Sequence, residues 1–251
     1  MCGIAGYIGK ENLNNKKVNQ ILDLMDRRGP DSKGYKKITL KQKQINLFFS
    51  RLSILDARKI SDQPFKYKDS LLIFNGEIYN YIELRSKLKK FGYSFKTNSD
   101  TEVLIKALHC WGDDAIKKLE GMWSFFYFDK STGKGLLCRD RFGEKPLFYF
   151  HKDNEIIFGS EIKFIEGIAE KKFQLNLDKI EDFLRYGYKS LNRDDQSYFK
   201  EIRSVPPGHF IKINNNKFEM INYWKFVYKP AIHLEENEIY KRIKEKLLKS
   251  I

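Results

Sequence analysis

Cysteine is scarce in this 251-residue sequence, which contains only Cys2, Cys110 and Cys138. An odd number of widely spaced cysteines argues against a disulfide framework and is typical of a protein kept in the reducing cytoplasm. The four histidines show no ligand spacing relative to the cysteines, so no metal site is predicted. We therefore expect a cytoplasmic protein with neither structural disulfides nor a bound metal.

Long apolar segments are also missing. The sequence has no uninterrupted apolar run of the roughly 18 residues that a membrane-spanning helix needs, and no basic-then-apolar leader precedes Cys2. Membrane insertion and secretion are therefore not expected. Hydrophobic residues make up 41% of the chain and aromatic residues 15%. That content is enough to fill a substantial core and disfavours a disordered chain.

Positive charge is abundant, with 47 basic against 33 acidic residues and a formal net charge of +14. Such an excess can serve a polyanionic partner. However, the basic residues comprise 36 lysines and 11 arginines, and they are scattered in ones and twos. The aromatic residues lie in apolar stretches rather than among the basic ones. Nucleic-acid binding is therefore the least favoured alternative.

Hydrophobic periodicity predicts a mixture of helices and strands. Helical patterns occur at 18–25, 81–91, 99–108, after Glu161, at 177–186 and at 234–251. Strand patterns occur at 4–8, 45–49, 71–74, 122–128, 135–138, 147–150 and 156–158, and 210–213 with 218–223 predict a hairpin across three asparagines. The run at 122–128 is almost continuously apolar, which is typical of a strand covered on both faces.

Cys2 is the first candidate for chemistry. Methionine aminopeptidase removes Met1 when the second residue is small, and the new terminus would then carry a thiol and an α-amine on one residue. The amine titrates near ~7.7–8.0, so it can accept the thiol proton near neutral pH. The alternative is a second residue in a frayed terminus. From the sequence around Cys2 alone, the frayed terminus is the favoured interpretation.

Eight short motifs together resemble the glutamine-hydrolysing domain of the class II amidotransferases, in the asparagine synthetase branch. They are MCGIAG (1–6), RGPD (28–31), RLSILD (51–56), NGEIYN (75–80), SDTEV (99–103), RDRFGEKPL (139–147), SEIK (160–163) and PPGH (206–209). The motifs occur in the order that the family has, and the resemblance covers nearly the whole chain.

The resemblance implies an α+β fold of the N-terminal-nucleophile hydrolase type, a four-layer αββα sandwich of two antiparallel sheets between helical layers. It implies a glutaminase domain over residues 1–225, with 226–251 as a linker and first helix leading into an ATP-dependent synthetase domain. Cys2 would attack glutamine, and a γ-glutamyl thioester would be hydrolysed to glutamate after ammonia departs. The ammonia would feed an asparagine synthetase-type amidation.

The resemblance also assigns an oxyanion site to Asn75 and Gly76, which would donate from the side-chain amide and the backbone N–H. The alternative is that Asn-Gly forms a common turn after the apolar strand 71–74.

Five further residues resemble substrate-binding positions. Arg51 would hold the α-carboxylate of glutamine, although a surface arginine is the default interpretation. Asp100 would pair with the α-ammonium group, but SDTE also predicts a helix start with a capping residue. Glu77 would assist at the same end, and Ile54 and Leu55 would contact the substrate through backbone atoms. Arg28 and its RGPD motif are interpreted as a structural turn near the active site.

The sequence departs from the family at three points. Arg27 and Phe49 stand where the family often has histidines, which puts rate and pH dependence in doubt. The Ser-Gly-Gly-x-Asp-Ser pyrophosphate loop of the synthetase domain does not occur. No cofactor is therefore expected for the glutaminase part, and ATP and Mg would belong to the missing synthetase domain. That domain, in cis or as a separate chain, is the expected partner besides glutamine. A homodimer stays open.

Two rival functions remain from the sequence. One is a catalytically silent scaffold with the amidotransferase fold, and the other is the basic nucleic-acid binder. The acceptor of the ammonia, aspartate or another carboxylate, does not follow from these residues.

Overall fold

A computed structural model of the chain describes residues 1–40, 43–187, 195–214, 217–228, 230 and 234–250. The strands are β1 Gly3–Gly9, β2 Ser32–Leu40, β3 Lys43–Arg51, β4 Phe65–Tyr67, β5 Ser70–Ile78, β6 Gly121–Asp129, β7 Lys134–Arg139, β8 Phe148–Lys152, β9 Glu155–Gly159, β10 Arg203–Ser204, β11 His209–Asn214 and β12 Lys217–Asn222. The helices are α1 Asn15–Met25, α2 Tyr81–Lys90, α3 Asp100–Trp111, α4 Asp114–Lys118, α5 Ile162–Ala169, α6 Leu177–Tyr186 and α7 Glu236–Ser250.

The strands form two six-stranded sheets in which every paired neighbour is antiparallel. The first sheet has the order β10-β8-β9-β1-β3-β2, and the second has the order β12-β11-β7-β6-β5-β4. The predicted late hairpin is present as β11 and β12, and its central residues 215 and 216 lie outside the described residues.

Three hydrophobic clusters define four layers. One cluster lies between the sheets and joins residues of β1, β3 and β9 to residues of β5, β6 and β11. A second packs α2, α3 and α4 on the outer face of the second sheet, around Trp123. The third packs α1 and α5 on the outer face of the first sheet, around Tyr7 and Phe48. The predicted αββα sandwich is therefore confirmed.

Strand β1 is buried on both faces because it lies inside the first sheet between two layers. Ile4 and Ile8 belong to the cluster between the sheets, whereas Ala5 and Tyr7 face the helices. Side chains alternate along a strand, so Cys2 falls on the inter-sheet side with Ile4. Cys2 does pack, partly buried, against the inter-sheet cluster.

The predicted helix start at Ser99 is confirmed, because its Oγ accepts a hydrogen bond from the Thr101 N–H at 3.0 Å. Asn14 caps α1 in the same way, accepting from the Lys17 N–H at 2.9 Å. None of the helices in the described part of the chain combines the length and apolar character required to cross a bilayer.

Candidate functional site

The N-terminal segment is held from three sides. The Cys2 carbonyl accepts a hydrogen bond from Arg28 Nε at 2.8 Å, and the Ile4 N–H donates to Ser160 Oγ at 3.2 Å. Gly3 pairs with Ser50 so closely that a Cβ on Gly3 would lie 2.6 Å from Ser50 Oγ. These contacts rule out a frayed terminus, which was the alternative interpretation of Cys2.

The Cys2 thiol lies against the backbone of Leu52. Its Sγ accepts from the Leu52 N–H at 3.4 Å and lies 3.5 Å from the Leu52 carbonyl. Burial raises the pKa of the Cys2 thiol, and this exceeds the opposing effects of the Leu52 hydrogen bond, the chain's N-terminal charge and Arg51. A thiol in this setting is mostly protonated at neutral pH, so a nucleophilic role requires a base beside it.

Asn75 and Gly76 lie inside β5, opposite Ser124 and Trp123 of β6, so the turn interpretation is wrong. The apolar pattern ends at Phe74, but pairing with β6 continues the strand to Ile78. The Asn75 side chain shares the inter-sheet face with Ile73, which is the face that Cys2 contacts. Asn75 is fully buried, with a long 3.5 Å contact from Nδ2 to Ser124 Oγ.

The Gly76 N–H points to the open edge of β5. Trp123 directs its own N–H and carbonyl to Asp140, at 3.3 and 2.8 Å, on the far side of β6. Gly76 and Trp123 therefore form a pair that exchanges no backbone hydrogen bonds, and the Gly76 N–H faces away from β6. On that edge the flanking amides of Phe74 and Ile78 donate to side chains, those of Gln63 at 2.6 Å and Asp100 at 3.0 Å.

Arg51 is a buried side chain rather than the default surface arginine. Its Nη1 donates to Asp62 Oδ1 at 2.7 Å, and its Nη2 donates to the carbonyls of Leu55 at 3.3 Å and Asp56 at 2.5 Å. The guanidinium thus organises the loop that follows β3. Ile54, 65% exposed, and Leu55 lie on this loop at the rim of the pocket.

Asp100 occupies the first turn of α3 with only 5% of its surface exposed. Its Oδ2 accepts from the Ile78 N–H, which joins the helix to the edge of β5. Burial raises the pKa of Asp100 to about 6, with Glu77 adding a smaller increase, although the amides of Ile78 and Thr101 oppose both. A buried carboxylate of this kind favours a cationic ligand, which would compensate its desolvation.

One cavity of about 60 Å3 brings these groups together. All eight predicted site residues line it, namely Cys2, Arg51, Ile54, Leu55, Asn75, Gly76, Glu77 and Asp100. They come from the residue before β1, from the end of β3 and the loop after it, from β5 and from α3, so the second sheet and its helix layer meet the N-terminal strand of the first sheet here. Met1 also lines the cavity.

Sequence reasoning gave no site role to several polar residues that line this cavity, among them Gln63 and Lys145. Lys145 belongs to the RDRFGEKPL motif, to which no role was assigned. Asp140 in the same motif accepts hydrogen bonds from the amides of Phe142, Glu144 and Lys145, each at 3.0 Å. Asp140 thus folds the loop that carries Lys145 into the cavity wall, where its Nζ lies 3.8 Å from Met1 Sδ.

The RGPD motif contacts segments that carry the site residues. Besides its bond to Cys2, Arg28 pairs with Glu161 at 3.1 Å. The Asp31 carboxylate accepts from the Ser53 N–H at 2.7 Å at the start of the loop that carries Ile54. The two positions where histidines were expected differ in setting, because Arg27 is exposed and Phe49 is buried at the cavity wall.

Within the described ranges, no group of three or more histidine, cysteine, aspartate or glutamate side chains lies close enough to hold an ion.

Comparison with known proteins identifies the family. Residues 1–224 match the sequence profile described as the glutamine amidotransferase domain. The chain is 31% identical over 259 aligned positions to glutamine-hydrolyzing asparagine synthetase 1 of Bacillus subtilis, an alignment that covers 100% of this chain and 39% of that protein. It is 34% identical over 235 positions to asparagine synthetase 2 of the same organism, with 89% and 30% covered. The chain thus spans less than two fifths of the length of these relatives.

The fold is also similar to a solved structure. The B. subtilis glutamine phosphoribosylpyrophosphate amidotransferase aligns with a TM-score of 0.64 and 18% identity, covering 90% of this chain and 50% of that one. This likeness concerns the two-sheet architecture. The profile match extends over nearly nine tenths of the sequence, and the fold agrees with it. The chain therefore belongs to the class II glutamine amidotransferase domain family.

Proposed function

We propose that this chain hydrolyses glutamine to glutamate and ammonia. The observation that carries the proposal is the convergence of all eight predicted residues on one cavity beside the Cys2 thiol. Family membership supports the same reaction class.

The reaction begins once Met1 has been removed. The S–H bond of Cys2 breaks and its proton passes to the α-amine of the same residue, while sulfur bonds to the carboxamide carbon of glutamine. The carbonyl oxygen becomes an oxyanion that accepts hydrogen bonds from the Asn75 side-chain amide and the Gly76 N–H. The α-ammonium then protonates the departing nitrogen, the C–N bond breaks, and ammonia leaves a γ-glutamyl thioester. Water, deprotonated by the amine, attacks the thioester carbon. The C–S bond breaks, glutamate leaves, and the α-ammonium returns its proton to the Cys2 sulfur.

Removal of Met1 serves two purposes in this scheme. It frees the α-amine that the buried, high-pKa thiol needs as a base. It also vacates part of a cavity that is small compared with the roughly 300 Å3 or more of typical ligand pockets.

The amino-acid end of glutamine would lie toward α3. Asp100 and Glu77 carry the negative charge that suits an α-ammonium group, and Arg51 would bind the α-carboxylate by exchanging its contact with Asp62. Leu55 and Ile54, which are on the same loop, would contact the substrate with backbone atoms. No cofactor takes part in these steps.

The test is ammonia and glutamate release by the purified chain, compared with Cys2→Ala. We expect turnover only with the intact cysteine, and intact-mass measurement should find Met1 removed. Equal turnover by the two proteins would refute Cys2 as the nucleophile. Absence of turnover, with no labelling of Cys2 by a glutamine-like chloroketone, would favour the silent scaffold.

We further propose that the ammonia feeds an ATP-dependent amidation, as in the relatives named asparagine synthetases. Residues 1–225 would form the glutaminase domain, and 226–251 would lead into a synthetase domain that binds ATP and Mg. Glutamine-dependent asparagine formation from aspartate by the full gene product would test this, and its absence would point to another acceptor.

A further inference from the structure

Gln63 makes an unusual set of contacts for a loop side chain. It is buried, and its Oε1 accepts from the Phe74 N–H at 2.6 Å while its Nε2 donates to the Phe74 carbonyl at 3.2 Å. This is the pair of hydrogen bonds that a neighbouring strand residue would make with its backbone. Strand β4 pairs with β5 only from Ser70 to Leu72, so Phe74 lies beyond this pairing. The Gln63 side chain takes the place of a strand there.

The same amide group reaches the helix layer. Gln63 Nε2 also lies 3.4 Å from Thr101 Oγ1, in the residue after Asp100. Asp100 in turn holds the Ile78 N–H. The edge of β5 is therefore fixed at Phe74 by Gln63 and at Ile78 by Asp100, and the Gly76 N–H lies between these two fixed points.

The backbone of Gln63 is also held tightly. A Cβ built on Gly34 of β2 would lie 1.8 Å from the Gln63 carbonyl oxygen, so this close approach requires glycine at position 34. Gln63 is thus wedged between an edge strand of the first sheet and the open edge of the second. Its placement follows from backbone packing as well as from its own hydrogen bonds.

We propose that Gln63 is a positioning residue for glutamine hydrolysis. It holds the β5 edge in register so that the Asn75 amide and the Gly76 N–H face the Cys2 sulfur. The inference rests on the proposed function, and it adds a residue that is not among the eight predicted ones. Gln63 acts through the two oxyanion donors rather than on the substrate.

The test compares Gln63→Leu and Gln63→Glu with Gln20→Leu, the same chemical change at an exposed position of α1. Loss of a whole oxyanion donor typically lowers kcat by about 10²–10³-fold. Because Gln63→Leu would misplace the donors rather than remove one, we expect it to lower kcat at least tenfold. Its KM should stay within about threefold of the KM of the unchanged chain. Gln63→Glu keeps an acceptor for the Phe74 N–H but sets a second oxygen against the Phe74 carbonyl, so its loss should be of similar size. Gln20→Leu should match the unchanged chain.

A double variant separates positioning from a general structural defect. If Gln63 acts through the oxyanion donors, Gln63→Leu should lower kcat by a smaller factor in the Asn75→Ala background than in the unchanged chain, because only the Gly76 N–H is then left to be misplaced. Losses that multiply, or a Gln63→Leu variant with unchanged kcat, would overturn the proposal. If Gln63→Leu does not fold, the same cycle with Gln63→Glu decides.

A second readout does not depend on turnover. Amide hydrogen exchange at Phe74 should accelerate at least tenfold in Gln63→Leu, and the amide NMR signal of Gly76 should shift, while exchange at Ile78 stays slow. Unchanged Phe74 exchange and an unchanged Gly76 signal would overturn the positioning role. If the unaltered chain fails to hydrolyse glutamine, the proposed function fails, and these amide measurements still decide the inference about Gln63.

Discussion

Asp100 keeps a carboxyl group where little water reaches it, and at the scale of single residues this has two opposing consequences. An ionised carboxylate at this position destabilises the protein without substrate, because burial disfavours its charge and raises its pKa to about 6. The same carboxylate provides a strong attraction for an α-ammonium group. Site and stability therefore place contrary demands on this residue.

Asp100→Asn should stabilise the empty protein at pH 7 and weaken glutamine binding. The folded carboxyl titrates near 6 and the unfolded one near its ordinary 3.8, so between these values the folded state binds more protons. Stability contributed by this group is therefore present at low pH and lost as pH rises through about 6. At about 1.4 kcal/mol per unit, the asparagine variant should gain about 1–3 kcal/mol at pH 7 and little at pH 4.

Urea unfolding at pH 4 and pH 7 measures the stability part of this prediction, and calorimetric titration with glutamine measures the binding part. A variant that is less stable at pH 7 than the unchanged chain would contradict the assigned electrostatics.

The site residues differ in how well the sequence could predict them. Cys2, Asn75 and Asp100 lie in motifs whose resemblance names a role, and the structure places them together. Gln63 and Lys145 were missed because their positions depend on tertiary contacts. Gln63 imitates a strand only because β4 ends before Phe74, and Lys145 reaches the cavity only because Asp140 folds its loop. No local pattern signals either arrangement.

At the scale of secondary-structure elements, the β5–β6 pair shows how tertiary context overrides a local signal. Asn-Gly favours a turn, yet continuous pairing from Ser70 to Ile78 extends the strand through it. Strand β2 was not predicted at all. Most of its nine residues are half-buried or exposed, and four of the first five are lysine, glycine or serine. It therefore lacks the alternation of apolar and polar residues that marks other strands. Pairing with β3 over nine residues forms it.

Gly76→Ala should disrupt both the pairing of β5 with β6 and the proposed oxyanion donor at the Gly76 N–H. A Cβ at this position would lie 2.1 Å from the Met122 carbonyl oxygen and 2.7 Å from Trp123 Cα, and both are backbone atoms that move only with their strand. We expect kcat to fall at least 10²-fold and the free energy of unfolding to fall by about 1–3 kcal/mol. Gly133→Ala controls for loss of glycine alone, because a Cβ at this turn position meets nothing within 4 Å. Since Gly133 has a positive φ, we expect this variant to show only the backbone cost of that conformation.

Steady-state kinetics and thermal unfolding of the two variants provide the measurements. Retention of full turnover by Gly76→Ala would mean that the edge of β5 tolerates displacement and is not the oxyanion site.

At the scale of the whole molecule, the strand and helix patterns fit helices outside two sheets, and the family resemblance predicts the four αββα layers. Strand and helix patterns located most elements, but they do not specify which strands share a sheet. The order β10-β8-β9-β1-β3-β2 places the N-terminal strand beside β9, some 150 residues later in the chain. Such long-range pairing leaves no trace in a local hydrophobic pattern.

Helix α7 is the clearest candidate for a segment that the sandwich does not need. Each of its residues with a described side chain is exposed, including Ile239, Ile243 and Leu247. We therefore expect a chain ending at residue 228 to unfold within about 2 °C of the longer one, since burial of apolar area is the main source of stability. Thermal unfolding followed by circular dichroism measures this. A decrease above about 5 °C would place α7 within the folded unit.

The position of Met1 in the cavity wall has a practical consequence for producing the protein. An affinity tag or reporter fused ahead of Cys2 would leave a peptide in the wall of the cavity proposed to bind glutamine. Recombinant versions should therefore carry their tags at the other end of the chain. In a host that trims Met-Cys incompletely, the specific activity of each preparation would report the fraction of molecules with a mature amino terminus.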